Sequence, residues 1–267
     1  MNRKNFIKEL AIEAGKRALE FFKKDSSLIM LRGESKEIVT KYDKILDEFI
    51  RERIEKFFPQ DSILSEENGY LEKDKKNLWI VDSLDGSSNF ANQNPLFSIS
   101  IAYFKNKKPI FATVIAPALD EFYFAQKGRG AFLNGKKIKV SKIKELGRAY
   151  LVYCEGGEKN RERVNKILFQ VYPRVKDLRK IGSAGIESCW VAAGKVDAYF
   201  TTQIDIWDVA GGILILKEAG GKITDFEGKN WRLKKQDLVF SNRFLHKKIL
   251  SLVNLRNFLN SKNICPS

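Results

Sequence analysis

The sequence predicts an α/β (α+β) fold in two closely packed lobes. Three observations predict it. Two stretches with apolar residues at helical spacing open the chain, and a run of β-type segments follows them. Beyond about residue 148, short strands alternate with helices. Between these patterns, the apolar run Leu78-Trp79-Ile80-Val81 ends in Asp82-Ser83-Leu84-Asp85-Gly86-Ser87-Ser88-Asn89-Phe90. A buried strand there delivers two carboxylates to its own exit and then turns sharply. Strand exits in open α/β sheets are where ligands bind. Carboxylates that close repel each other unless a cation lies between them, so a metal site is expected at this turn.

The elements follow in order. Residues 3–24 place Phe6, Ile7, Leu10, Ala11, Ala14, Ala18, Phe21 and Phe22 on one helical stripe. Residues 27–39 read as irregular or hairpin-like, with Gly33 as a turn. Thr40 starts a second helix with Ile45, Leu46, Phe49, Ile50, Ile54 and Phe57 as its apolar face, and Pro59 follows its end. Ser62 to Leu64 form a short strand ending at Glu66-Glu67, and Asn68 to Asn77 are expected to be a mobile polar loop. After the central strand, Ser98 to Tyr103 alternate as a half-buried strand, and Ile110 to Ala116 and Glu121 to Ala125 continue an antiparallel meander.

The second lobe alternates. Tyr150–Cys154, Leu178–Ile181 and Asp197–Phe200 read as strands; Lys159–Val171, Ala184–Ala193 and Trp207–Ala219 read as helices. Gly220-Gly221 ends the last of these. Lys222–Thr224 and Leu238–Ser241 are further strands, and a final helix starts near Asn242. The expected lobes are residues 1–145 and 146–267, with no flexible linker between them.

Composition narrows the function. With 48 Lys+Arg against 33 Asp+Glu the net charge is +15, which raises nucleic acid as a partner. The basic residues are scattered, and their short clusters fall near turns, as on a solvated surface. Such a field also draws in a small anionic substrate. Cys154, Cys189 and Cys265 form no CxxC pair, which argues against a disulfide framework or zinc knuckle. The single His246 excludes histidine-based metal clusters. No signal-like or membrane-spanning apolar run occurs, so a cytoplasmic protein is expected.

Four acids sit at element edges: Glu66, Asp82, Asp85 and Asp208. Hard cations such as Mg²⁺ take oxygen ligands of this kind. Each acid also has a plainer reading. Glu66 fits a solvated loop, Asp208 a first-turn acid favoured by the helix dipole, and Asp-x-x-Asp-Gly a turn. Asp43 fits a capping acid three residues after Thr40. Gly182-Ser183-Ala184-Gly185 opens a helix and, like Gly86-Ser87-Ser88, offers small residues whose amides suit an anion.

Trp79 to Phe90 resembles a signature of the inositol monophosphatase family. Trp207-Asp208-Val209-Ala210-Gly211-Gly212, running on to Glu218-Ala219-Gly220-Gly221, resembles its second signature. The likeness extends through Val39 to Asp43, Ser65-Glu66-Glu67, Gly128 to Gly135 and Gly182-Ser183-Ala184, in family order. It implies a five-layer α-β-α-β-α sugar-phosphatase fold, a homodimer, and Mg²⁺-dependent hydrolysis of a small phosphorylated polyol or sugar. It implies Glu66, Asp82, the Leu84 carbonyl, Asp85 and Asp208 as ligands of two or three Mg²⁺ ions. Ser87 with Asp43 would activate the attacking water, with Glu66 also in the catalytic set. Gly86, Ser87, Ser183, Ala184 and Thr201 match positions that bind substrate.

The chain departs from the family pattern in places. Ser83 stands for the usual proline and is expected to loosen the turn. Ser87 stands for threonine and keeps the hydroxyl. Gly211 stands where alanine is common. Thr201 lies where animal members carry a glutamate that binds inositol hydroxyls. The leading expectation is an inositol-1-monophosphatase-type hydrolase. The alternatives are fructose 1,6-bisphosphate or 3′-phosphoadenosine 5′-phosphate hydrolysis, or an RNA- or RNA polymerase-binding regulator.

Overall fold

The structure, a computed structural model, describes residues 2–23, 29–32, 37–156 and 160–255. Its secondary structure stacks in five layers. Helices α1 (Arg3–Phe22) and α2 (Lys41–Phe57) form the first. The second is an eight-stranded sheet of β3 (Ser62–Ser65), β4 (Gly69–Leu71), β5 (Asn77–Asp85), β6 (Ser98–Lys105), β7 (Lys108–Ala116), β8 (Glu121–Gln126), β9 (Gly130–Leu133) and β10 (Lys136–Lys137). Helices α5 (Ala184–Ala192) and α6 (Ile206–Glu218) form the middle layer. A five-stranded sheet of β11 (Tyr150–Cys154), β12 (Asp177–Arg179), β13 (Ala198–Ile204), β14 (Lys222–Thr224) and β15 (Gln236–Ser241) comes next. Helices α4 (Arg161–Val171) and α7 (His246–Val253) cover its far face. A short helix, α3 (Ser87–Ala91), follows the central strand, and β1 (Ile29–Arg32) pairs with β2 (Glu37–Thr40) apart from both sheets.

Each layer follows from the pattern of its residues. The α1 stripe buries Phe6, Ile7, Leu10, Ala11, Ala14 and Ala18 completely against the first sheet. Phe6, Phe58 and Trp79 form an aromatic cluster there, with Arg3 over the Phe58 ring and its guanidinium paired with Asp61. In β5, Trp79 and Val81 face α1 and α2, whereas Ile80 faces the middle layer. Alternation along a strand produces that division. The helix α6 is apolar on nearly every side because sheets and helices surround it. Gly211 lets it approach closely: a Cβ there would lie 2.6 Å from Ser100 Oγ and 2.9 Å from Val114 Cγ2.

Several expectations change. Strand β6 is buried on both faces, since α1 packs on one side and α6 on the other. The polar stretch after Asn68 contains β4, an edge strand paired antiparallel with β3. The sheet is not wholly antiparallel, because β3 runs parallel to β5. On α2, Ile45 and Phe57 are 41% and 40% exposed, and buried Asp43 and Asp47 share the inner face with Leu46, Ile50 and Ile54. The last helix begins at His246, because Asn242 Oδ1 accepts hydrogen bonds from Phe244 N and Leu245 N and holds a turn first. Gly33, Lys159 and Cys265 lie outside the described residues.

Candidate active site

The site is built on the exit of β5. Asp82 pairs with Ser100 of β6, and Asp85 pairs with Ser98. Three steps on one strand therefore oppose two on the other, which makes a β-bulge. In a regular strand, residues three apart point to opposite faces. The bulge re-aims Asp85, so both carboxylates face the middle helical layer while Leu84 joins the core on the α2 side. Gly86 then takes a left-handed conformation, φ 88° and ψ 37°, as N-cap of α3. A Cβ at Gly86 would lie 2.9 Å from the Leu96 carbonyl and 3.2 Å from the Gly182 carbonyl, two residues before α5. Only glycine fits both the backbone angle and that crossing.

Glu66 follows β3, which runs parallel beside β5 with Ser65 opposite Val81. Asp208 lies in the first turn of α6, directly across from that strand exit. Carboxylate oxygens of Glu66, Asp82 and Asp208 come within 4.8 Å of one another. Asp82 is 1% exposed, and its Oδ2 is buried with no hydrogen-bond partner among the described residues. Burial raises the Asp82 carboxyl well above the usual carboxylate range, and Glu66, Asp85 and Asp208 raise it further. Asp208 is raised likewise by burial, then by Glu66 and Asp85. This donor set fits a hard cation: clustered hard oxygens, mutual repulsion and an orphaned buried oxygen.

Asp85 is placed differently. It accepts hydrogen bonds from Ser98 Oγ at 2.7 Å, from Ala184 N and Gly185 N at 2.9 Å each, and from Ser183 Oγ. Its carboxylate thus caps α5 and ties the first sheet to the middle helical layer. Asn89 adds to this join, donating to the carbonyls of Leu96, Ile181 and Gly182.

Asp43 holds the other side of the turn. Its Oδ2 accepts from Thr40 N at 2.7 Å and Thr40 Oγ1 at 2.6 Å, completing a capping box. Its Oδ1 accepts from Ser87 Oγ at 2.5 Å. The capping role and the site role therefore use different oxygens of one carboxylate. Burial raises the Asp43 carboxyl against the lowering effect of the Ser87 and Thr40 hydrogen bonds. Asp208 repeats the arrangement, as Asp205 N donates to its Oδ2 at 3.1 Å within a second capping box. Ser83 Oγ donates to the Asp43 carbonyl at 3.1 Å and so links β5 to α2 beside the turn.

The structure brings Glu66, Asp82 and Asp208 together, and Asp43 with Ser87 and the Leu84 carbonyl, which lies 2.8 Å from the same Ser87 Oγ. It does not bring Ser183 or Thr201 to a surface. Ser183 is fully buried as N-cap of α5, and Ala184 is 4% exposed. Thr201 is fully buried in β13, between β11 and β15, because that strand runs on to Ile204. His246 is also buried, between Thr224 Oγ1 at 2.9 Å and Ser241 Oγ at 2.7 Å, and burial pushes its pKa down to about 4.

Two polar residues near the site have no counterpart in the sequence expectations. Glu187 on α5 is fully buried, and its Oε1 accepts from Ile181 N at 3.0 Å, holding the loop before that helix. Burial pushes its carboxyl up to about 8. Asp47 on α2 is fully buried too. The available signal was the same for both: an acid on a helix face that otherwise buries apolar or small residues.

The family model for the inositol monophosphatase family matches residues 2–256. A Thermotoga maritima protein, fructose-1,6-bisphosphatase/inositol-1-monophosphatase, is 40% identical over 220 residues, covering 82% of this chain and 83% of that one. Nus factor SuhB of Vibrio cholerae is 37% identical over 211 residues, covering 78% and 79%. A solved Thermotoga maritima IMPase structure superposes with a TM-score of 0.87 at 35% identity, covering 95% of this chain and 97% of that one. The carboxylate cluster, the five layers and these likenesses coincide over nearly the whole described chain, which belongs to the inositol monophosphatase family.

Proposed function

We propose that this chain is a Mg²⁺-dependent phosphomonoester hydrolase that acts on inositol 1-phosphate and, through the same site, on fructose 1,6-bisphosphate. The observation that carries the reading is the Glu66–Asp82–Asp208 cluster at the same strand exit as the Asp43–Ser87 pair. Those three acids, with Asp85 and the Leu84 carbonyl, would hold Mg²⁺, which when bound neutralises phosphate charge and acidifies water.

The chain's own residues supply the proton path. Asp43 is fixed through Oδ2 by Thr40, so Oδ1 stays aimed at Ser87 Oγ. As the attacking water gives its proton to Ser87 Oγ, the Ser87 proton passes to Asp43 Oδ1. Its raised pKa makes Asp43 a better acceptor than an ordinary carboxylate. Gly86 caps α3 and Ser87 opens it, where N–H groups lack helical partners and would favour a phosphate. Thr201 offers no carboxylate to inositol hydroxyls and is buried, which supports a site that also admits a sugar bisphosphate. The working unit in this reading is a homodimer.

The decisive experiment compares kcat/KM for inositol 1-phosphate, fructose 1,6-bisphosphate and 3′-phosphoadenosine 5′-phosphate at one Mg²⁺ concentration. Turnover of none of them overturns the reading; preference for the nucleotide reassigns the substrate. Ser87→Ala should lower kcat by about 100-fold or more, the usual scale of positioned proton transfer, with a smaller change in KM. A raised KM at unchanged kcat would remove Ser87 from the proton path.

A second reading, an RNA-contacting regulator, is favoured by the net charge of +15 and by the Nus factor relative. It requires RNA affinity that collapses between low and moderate salt. Phosphatase activity that needs only Mg²⁺ separates the two.

A further inference from the structure

Asp47 is fully buried one helical turn beyond Asp43 on α2, yet it belongs to neither the carboxylate cluster nor the Asp43–Ser87 pair. Residues four apart on a helix share a face, so both acids look toward the site from the same rigid rod. Asp47 Oδ2 accepts a hydrogen bond from Ser65 Oγ at 3.0 Å and another from Asn68 Nδ2 at 2.5 Å. Ser65 ends β3, and it pairs with Gly69 at the start of β4. Between the two anchors lie only Glu66 and Glu67. Arg51, a further turn along α2, donates from Nη1 to Ser65 Oγ at 3.2 Å, which leaves the hydroxyl proton for Asp47.

The other oxygen tells against a purely structural role. Asp47 Oδ1 is buried with no hydrogen-bond partner among the described residues. An unpaired buried carboxylate oxygen costs stability. Leucine or isoleucine suits this face of α2, as Leu46, Ile50 and Ile54 show. Either would avoid that cost but remove the carboxylate that bonds both Ser65 and Asn68.

We propose that Asp47 is a positioning residue that clamps both ends of the Glu66–Glu67 turn to α2 and thereby sets where Glu66 stands relative to Asp82 and Asp208. The inference rests on the metal reading of that cluster. One helix then fixes the proton acceptor through Asp43 and one wall of the cation site through Asp47. Groups hydrogen-bonded directly to a metal ligand typically change metal affinity by about 10–100-fold, and Asp47, acting through the flanking residues, is placed at the low end.

The test is calorimetric titration of Mg²⁺ into wild type, Asp47→Ala, Asp47→Asn and Asn68→Ala, with thermal unfolding of each. Asp47→Ala should bind Mg²⁺ about tenfold more weakly, and Asn68→Ala should lose less. Asp47→Asn keeps one oxygen able to accept from both donors and should recover part of the affinity. Turnover lost in Asp47→Ala should return at saturating Mg²⁺. A folded Asp47→Ala with a lower Tm and wild-type Mg²⁺ affinity overturns the inference and leaves the metal reading standing. If that variant does not fold, wild-type affinity in both Asn68→Ala and Ser65→Ala overturns it instead. No Mg²⁺ binding by the wild-type chain overturns the metal reading, and this inference with it.

Discussion

Asp82 and Asp85 are three residues apart on one bulged strand exit, yet their surroundings are opposite. Asp82 is packed among other acids, and one of its oxygens has no donor among the described residues. Asp85 has four donors, drawn from β6 and from the start of α5. The first carboxylate is costly to fold without a counter-ion, while the second is satisfied by the protein itself. Identical residue types in one motif therefore differ: Asp82 lacks a partner for one oxygen, whereas Asp85 is also held by donors that join the first sheet to the start of α5.

Replacing Asp82 gives the largest expected effect. Asp82→Asn should reduce Mg²⁺-dependent turnover by about 1000-fold or more, since loss of several kcal/mol of charge stabilisation is worth about that much. Its metal-free Tm should stay level or rise, because a buried like charge is removed. Phosphate release assays and calorimetry check the two halves. Asp85→Ala should instead destabilise the fold by roughly 3 kcal/mol, as hydrogen bonds to a charged group are lost and their donors stranded. Urea unfolding measures this. A stable Asp85→Ala beside an unfolded Asp82→Asn would reverse the comparison.

The third prediction concerns pH. Asp82, Asp85, Asp208 and Glu187 all have raised folded-state pKa values, with burial the largest cause. For a raised acid, the folded chain holds protons that the unfolded chain has released. Its stabilising contribution is complete below the unfolded pKa and is lost as pH rises through the folded one. Metal-free Tm should therefore fall as pH rises above the carboxylate range, through about 8 for Glu187. Mg²⁺ should raise Tm more at pH 8 than at pH 5, since it replaces protons in the cluster. Glu187→Gln keeps an acceptor for Ile181 N and should flatten part of the metal-free slope. A metal-free Tm that climbs across this range would count against protonated clustered acids.

Much of this was legible in the chain. Helices α1, α5 and α6 follow their apolar spacing to within a residue or two. The acids that converge were identifiable from their places at element ends. Asp43 was readable both as a cap and as a site residue, and Asp208 as a first-turn acid; in the structure each carboxylate completes a capping box while also facing Ser87 or the acid cluster. Burial was harder to read. The stripe rule counted Ile45 and Phe57 as inner residues, and the inner face of α2 accommodates Asp43 and Asp47 instead. Polar composition hid β4, because backbone pairing to β3 needs no apolar side chain.

The sequence by itself determined most of the element order, the carboxylate inventory and the turn that follows the central strand, because periodicity and short motifs are local properties. Only the tertiary structure decided which carboxylate meets which partner. A one-residue bulge put Asp82 and Asp85 on one face, the α5 amides claimed Asp85, and α6 brought Asp208 to Asp82. It also buried Thr201 and Ser183, which the motif alone placed against substrate. Hydrogen-bond donors and neighbouring charges reach a side chain across sequence separations of about a hundred residues here, as from Asp85 to Gly185, and no local pattern encodes their arrival.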